Sequence, residues 1–197
     1  MLDLIKRNRS YRRFYQEVKL PAEVMDSLLE AARLCPSAAN RQVLKYVVCR
    51  DAASPLGKEI FDCLAWAGYL PQWPGPEAGE RPSAYLVVLH DTSLYNNPNC
   101  DAGIAMQSVL LEATSQGFGG CIFAAINRPR LAKYLHLPEH LVILNVVALG
   151  KPKEQVVIDT LDTSLPNGEA IKYWRDGNQV HHVPKRAVED IVFTPTE

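Results

Sequence analysis

Apolar residues recur along this chain with two periods, and the switches between them mark the expected elements. After Pro21, the residues Val24, Leu28, Ala31 or Ala32 and Cys35 fall at helical spacing, and Pro36 ends the run. "QVLKYVVC" (42–49) and "AYLVVLHD" (84–91) are short valine-rich runs that predict buried strands. Between them, "SPLGKEIFDCLAWAGY" (54–69) predicts a helix, and "LPQWPGPEAGERPS" (70–83), rich in proline and glycine, predicts a loop. "DAGIAMQSVLLEATSQG" (101–117) predicts a helix that starts on Asp101 and is capped by Gly117. Its apolar residues spread around most of the circumference, so burial on nearly all sides is expected. "GGCIFAAI" (119–126) and "HLVILNVVALG" (140–150) predict two more strands, with a short helix begun by Pro129 between them. Residues 151–197 are more polar and predict an extended arm, closed by a short helix or strand at "AVEDIVF".

Helices that alternate with strands around one sheet imply an α+β chain of mixed α/β layers, with helices over a central sheet. At 197 residues one domain is expected, able to bury roughly 70% of its unfolded surface. The chain carries 21 basic and 22 acidic residues, so it has no general attraction to nucleic acid or anionic membranes. No apolar run approaches the length of a membrane span, and the start "MLDLIKRNRS" lacks the apolar core of a signal peptide; a cytoplasmic protein is expected. Five scattered cysteines without CxxC spacing argue for reduced thiols rather than disulfides or zinc. GxGxxG and GxxxxGK[ST] are both missing, which excludes a standard dinucleotide or P-loop fingerprint.

Against this neutral background, residues 6–13 hold five basic side chains and no acidic one. Three readings stand open: a solvated basic face, a small nucleic-acid patch, or a phosphate site. In the last, Arg9 and Arg12 offer forked donors and Ser10 adds a hydroxyl. "PSAANRQ" (36–42) by itself reads as a Ser/Asn-rich turn after a helix. Aromatics such as Trp66, Tyr69 and Trp73 more commonly fill a core. The neighbouring His181 and His182 point apart in a strand and lack further ligands nearby, so no metal site is expected.

Five stretches, in order, carry a resemblance. "NRSYRRF" (8–14) resembles the R-S-x-R-x-F signature of the FMN-dependent nitroreductase family, and "PSAANRQ" resembles its P-S-x-x-N-x-Q turn. Residues 101–121 resemble its long central helix and following Gly-rich turn, "GKPKE" its G-x-P-x-E turn, and "VPKRAVEDIVF" its C-terminal tail. The resemblance implies a nitroreductase-like fold with a mainly antiparallel sheet, a bound FMN, and NADH or NADPH as transient hydride donor. It implies ping-pong transfer through flavin N5 to nitroaromatics, quinones or related small acceptors. A non-catalytic FMN sensor, or a flavin-consuming or dehalogenating enzyme, is the alternative on the same fold. By resemblance Arg9, Ser10, Lys185 and Arg186 hold the phosphate, and Arg12 sits near the ring's N1 side. A backbone N–H from Phe123, Ala124 or Ala125 faces N5. Pro36, Ser37, Ala38, Asn40 and Gln42 reach the flavin across a symmetric dimer interface, with 151–197 exchanged between chains. Trp66, Tyr69 and Trp73 are then candidates to roof the open flavin face and touch substrate. Two departures stand out: Asn8 replaces an arginine common in the family, a gap Arg7 could fill, and Ala124–Ala125 replace a Glu-Gly pair.

Overall fold

Eight consecutive buried residues, Ala84–Asp91, form strand β3 at the middle of the main sheet. The computed structural model describes residues 1–98 and 100–195. Strand β2 (Leu44–Cys49) pairs antiparallel with one edge of β3. Strand β5 (Leu141–Pro152) pairs antiparallel with the other. On its far side β5 carries two shorter antiparallel strands: β4 (Gly119–Phe123) against Val146–Gly150, and β1 (Phe14–Tyr15) against Lys151–Pro152. Among the described residues, the pairings between the named strands of this sheet are antiparallel, which matches the resemblance.

Alternation along β3 divides the core. Ala84, Leu86 and Val88 join one apolar cluster with helices α2 (Ala22–Leu34) and α4 (Asp101–Ser115). Tyr85, Val87 and Leu89 join a second cluster with α3 (Pro55–Asp62) and α5 (Arg128–Tyr134). A two-residue period on a sheet covered on both faces explains why this strand reads as continuously apolar. A further helix, α1 (Leu2–Arg7), carries the first basic residues and was not legible from periodicity.

Helix α3 is shorter than its pattern. Ser54 caps it, accepting from Gly57 N at 3.1 Å, and it ends at Asp62 rather than running to Tyr69. Leu64 is drawn instead into an antiparallel bridge with Ile126, and Ala67 turns to φ 29°. The expected strand at 42–49 loses its first two residues because Gln42 sits at φ 52° in the preceding turn. It is also an edge strand, largely half-buried, and not a buried one. The 119–126 strand stops at Phe123. Helix α4 buries one side only: Gly103 and Gln107 are exposed, and Ile104, Ser108 and Leu111 are half-buried within one chain. Burial on nearly all sides is therefore not achieved by a single copy.

The chain divides into two compact units: residues 1–66 with 74–153, and residues 67–73 with 154–197. The second unit is more than an extended arm. Strands β6 (Val156–Thr160) and β8 (His181–Lys185) pair in parallel, and β7 (Trp174–Arg175) pairs antiparallel with β8. A four-residue helix, α6 (Asn167–Ala170), lies between β6 and β7. "AVEDIVF" forms only a single 3-10 turn, at Glu189–Ile191.

Candidate functional site

The basic cluster splits by partner. Arg13 makes a forked pair with Glu80 at 2.5 Å, and Lys153 reaches the same carboxylate at 2.8 Å. Glu80 is almost fully buried, and the Arg13 hydrogen bonds, which outweigh its desolvation, hold its pKa down to about 2. This pair ties the segment before β1 to the 70–83 loop, a structural task. Because the folded pKa lies below the ordinary 4.5, Glu80 stabilises the fold fully above that value. The contribution, on the order of 3 kcal/mol, fades as pH falls from about 4.5 toward about 2. Glu80→Gln should therefore lower the denaturant midpoint near neutral pH and flatten its loss on acidification. Equal acid sensitivity in the two proteins would show that the pair does not carry it.

Arg7 turns to Asp3 at 3.0 Å on the surface of α1, and Asn8 is buried at the end of that helix. Arg7 is exposed, whereas the Asn8 side chain is withdrawn into the fold. Arg9 differs. One terminal nitrogen donates to Ile5 O at 2.8 Å, while its Nε is buried without a hydrogen bond. Ser10 is exposed and forms a parallel bridge with Gly120, through Tyr11 N donating to Gly120 O at 3.0 Å. Arg12 folds back so that one terminal nitrogen donates to Ser10 O at 3.3 Å. The Arg9–Arg12 segment is thereby laid along the outer edge of β4.

That edge has a second boundary. Leu64 bridges Ile126, and Ala65 N donates to Ala125 O at 3.0 Å. Between Gly120 and Ala125 no bridge covers the outer side of β4 among the described residues. Gly120 O points outward, and the two-residue period gives the same direction to the main-chain groups of Ile122, the last outward residue before β4 ends at Phe123. Phe123 O points inward and accepts from Asn145 Nδ2 at 3.1 Å. Its ring meets Trp66 edge-on at 4.6 Å between centroids. Trp66 also packs against Phe61, so it joins the second core cluster. The outward main chain of Ile122 was missed by the sequence reading, because only the register against β5 reveals it.

The Ser37–Gln42 turn is held in an unusual backbone form. Ala39, Asn40 and Gln42 have φ of 50°, 53° and 52°. Ser37 Oγ accepts from Gln42 N at 3.2 Å, and Gln42 Nε2 donates to Asn40 Oδ1 at 3.2 Å. Pro36, Ser37 and Gln42 line a cavity of about 280 Å³ with Cys35, Tyr46 and Asp101. Burial pushes the Tyr46 phenol up to about 12, so it remains a neutral donor. None of Arg9, Ser10, Arg12 or residues 123–125 lines this cavity. This cavity therefore does not join the two groups.

Tyr69, Trp73, Lys185 and Arg186 belong to the second unit. There the Arg175 guanidinium lies 4.2 Å from the Trp73 ring centroid and pairs with Glu154 at 3.0 Å. Tyr69 packs on Tyr173 at 5.0 Å. Lys185 ends β8 opposite Thr160, and Arg186 hydrogen-bonds Asn167. His182 stacks on Trp174 and pairs with Asp159 at 2.8 Å. Among the described residues no group of three or more His, Cys, Asp or Glu could hold a metal ion, and no helix is long and apolar enough to cross a membrane.

The fold has counterparts among known proteins. A relative from Archaeoglobus fulgidus, provisionally named NADH dehydrogenase/NAD(P)H nitroreductase, is 30% identical over 162 residues, covering 78% of this chain and 86% of that protein. The solved FMN-dependent nitroreductase of Clostridium difficile R20291 shares the fold with a TM-score of 0.63 at 20% identity, over 86% of this chain and 96% of its own. The NADPH:FMN oxidoreductase of Vibrio harveyi, solved with NAD+, gives 0.61 at 23% identity, over 77% and 68%. The nitroreductase family model matches residues 5–151, and the chain belongs to the nitroreductase family.

Proposed function

We propose that the chain is an FMN-dependent NAD(P)H oxidoreductase that reduces nitroaromatics, quinones or related small acceptors, working as a homodimer. The observation that carries the reading is the Arg9–Arg12 segment docked beside an open stretch of β4. A buried guanidinium Nε without a partner leaves a charged donor unsatisfied, which an anion would satisfy. The residues fit FMN. Arg9 and Ser10 supply charge-assisted and hydroxyl donors for a phosphate, and the outward main chain of Ile122 suits the polar edge of a flat heterocycle. The names of the relatives, which pair NAD(P)H with FMN and nitro compounds, point to the same group.

Bound FMN supplies reversible two-electron chemistry between a reduced nicotinamide and the acceptor. The chain's own tasks are to bind, orient and polarise. Arg9 and Ser10 anchor the phosphate, with Lys185 and Arg186 as further cations. Arg12, on the same segment, offers a fixed positive charge for the ring's N1 side, which favours the reduced form. A main-chain N–H at Ala124 or Ala125 donates at N5. Asn40 and Gln42 offer amide groups to the ring from the strained turn. That the cavity beside this turn is lined by neither Arg9, Ser10 nor Arg12 supports a site completed by a second copy. The half-buried side of α4, with Ile104 and Leu111, is a surface such a copy would cover.

Titration of the purified chain with FMN, followed by NADH or NADPH under anaerobic conditions, tests the proposal. Stoichiometric binding, bleaching of the flavin's visible band and recovery on adding a quinone or nitroaromatic are expected. Binding without bleaching by either nicotinamide would convert the protein into a flavin carrier and overturn the catalytic reading.

A further inference from the structure

We propose that Asp101 is a positioning residue for the flavin site: its carboxylate holds the Ser37–Gln42 turn in the form that presents Asn40 and Gln42. The inference rests on the FMN reading and adds a residue that none of the five resembling stretches marks as a ligand.

The turn needs holding. Left-handed backbone angles bring a β-carbon close to the following carbonyl, and only glycine, and to a lesser degree asparagine, adopts them readily. Asn40 tolerates its φ of 53°; Ala39 at 50° and Gln42 at 52° do not gain that allowance. The bonds inside the turn are local. Asn40 N donates to Ser37 O at 2.9 Å, Arg41 N to Ala38 O at 3.2 Å, and Gln42 N to Ser37 Oγ at 3.2 Å. Such bonds move with the segment and do not fix it against the fold.

Among the described residues, two polar or ring contacts reach from the turn to other elements. Arg41 lies over the Tyr95 ring at 3.8 Å, but both side chains are exposed. The other is buried: Ala38 N donates to Asp101 Oδ1 at 2.9 Å, across 63 positions of sequence. Asp101 is 3% exposed and opens α4, whose next turns are anchored by the buried Ala102, Ala105 and Met106. A carboxylate at a helix start is favoured by the helix dipole, and an N–H donated to an ionised oxygen is about twice as strong as a neutral bond. Asp101 thus transmits the fixed position of α4 to Ala38, one residue before the strained stretch. It acts through the turn and needs no contact with the flavin.

The test uses the full chain with and without flavin, and two ligands that separate ring from phosphate. Asp101→Ala should weaken riboflavin and FMN by the same factor, about tenfold, since the ring contacts alone are disturbed. In the flavin-free protein the same variant should speed hydrogen exchange at the amides of residues 38–42 while leaving β3 protected. Asp101→Asn keeps an acceptor oxygen and should stay within about threefold of the parent. Ala39→Gly placed in the Asp101→Ala background removes the strain at residue 39 and should recover part of the affinity, a rescue that a purely structural role would not produce. Unchanged exchange at 38–42 in Asp101→Ala, or failure of the Ala39→Gly rescue, overturns the proposal. If the parent protein binds neither flavin, the FMN reading fails by itself, and the exchange arm still decides whether Asp101 holds the turn.

Discussion

Arg9→Ala is expected to give a folded protein that binds FMN about ten- to a hundredfold more weakly, because a charge-assisted phosphate contact contributes on the order of 1.5–3 kcal/mol. Its affinity for riboflavin, which lacks the phosphate, should change little. The expectation comes from the partners and not from the charge count. Of the basic residues in this stretch, Arg7 is spent on Asp3 and Arg13 on Glu80. Arg9 alone pairs a buried, unbonded Nε with a place beside the open edge of β4. Arg13→Ala is the contrasting variant. It should lower stability by stripping the buried Glu80 of its forked donor, yet leave the flavin affinity of the folded fraction close to the parent. Isothermal titration of both variants with both ligands decides the matter. Equal FMN affinity in Arg9→Ala and the parent, or an equal loss for riboflavin, would remove Arg9 from the phosphate site.

Much of the main sheet was legible because its strands obey one local rule. Residues 84–91 and 146–150 are buried on both faces, so they read as apolar runs, and the structure places β3 and the second half of β5 there. Helices α2 and α4 were legible for the same reason, since one face of each must meet that sheet. The reading failed where a distant partner overrode the local pattern. Leu64 continues the helical spacing of α3, but a bridge to Ile126 takes it out of the helix. The parallel pairing of β6 with β8 spans about twenty-five residues and leaves no local mark. The basic stretch showed its charge but not its division of labour. Glu80 lies in a proline-rich loop sixty-seven positions from Arg13, and no spacing rule connects them. Likewise the outward main chain of Ile122 follows from the β4–β5 register alone. The motif residues 9, 10 and 12 were placed by resemblance, and the fold brings them to one strand edge through the Ser10–Gly120 bridge.

That bridge makes Gly120 the position where fold and site fail together. A β-carbon there would lie 2.2 Å from Ala148 O, 2.9 Å from Leu110 Cδ2 and 3.2 Å from Leu149 Cδ2. The leucine methyl groups can turn aside. Ala148 O cannot, because its strand is fixed between Tyr85 of β3 and Cys121 of β4. Gly120→Ala must therefore push β4 away from β5, at a cost of about 3 kcal/mol. For a chain of this size that lowers Tm by roughly 6–12 °C. The displaced Gly120 O would no longer meet Tyr11 N, so the Arg9–Arg12 segment would lose its seat, and FMN binding should fall along with stability. Gly168→Ala serves as the control: nothing lies within 4 Å of its β-carbon position in the short α6, and a helical alanine there should be neutral or slightly stabilising. Calorimetry and FMN titration of the two variants give the comparison. A Gly120→Ala protein that melts with the parent and holds FMN normally would mean that β4 is not packed against Ala148 as described, and that the edge it offers to the flavin is formed some other way.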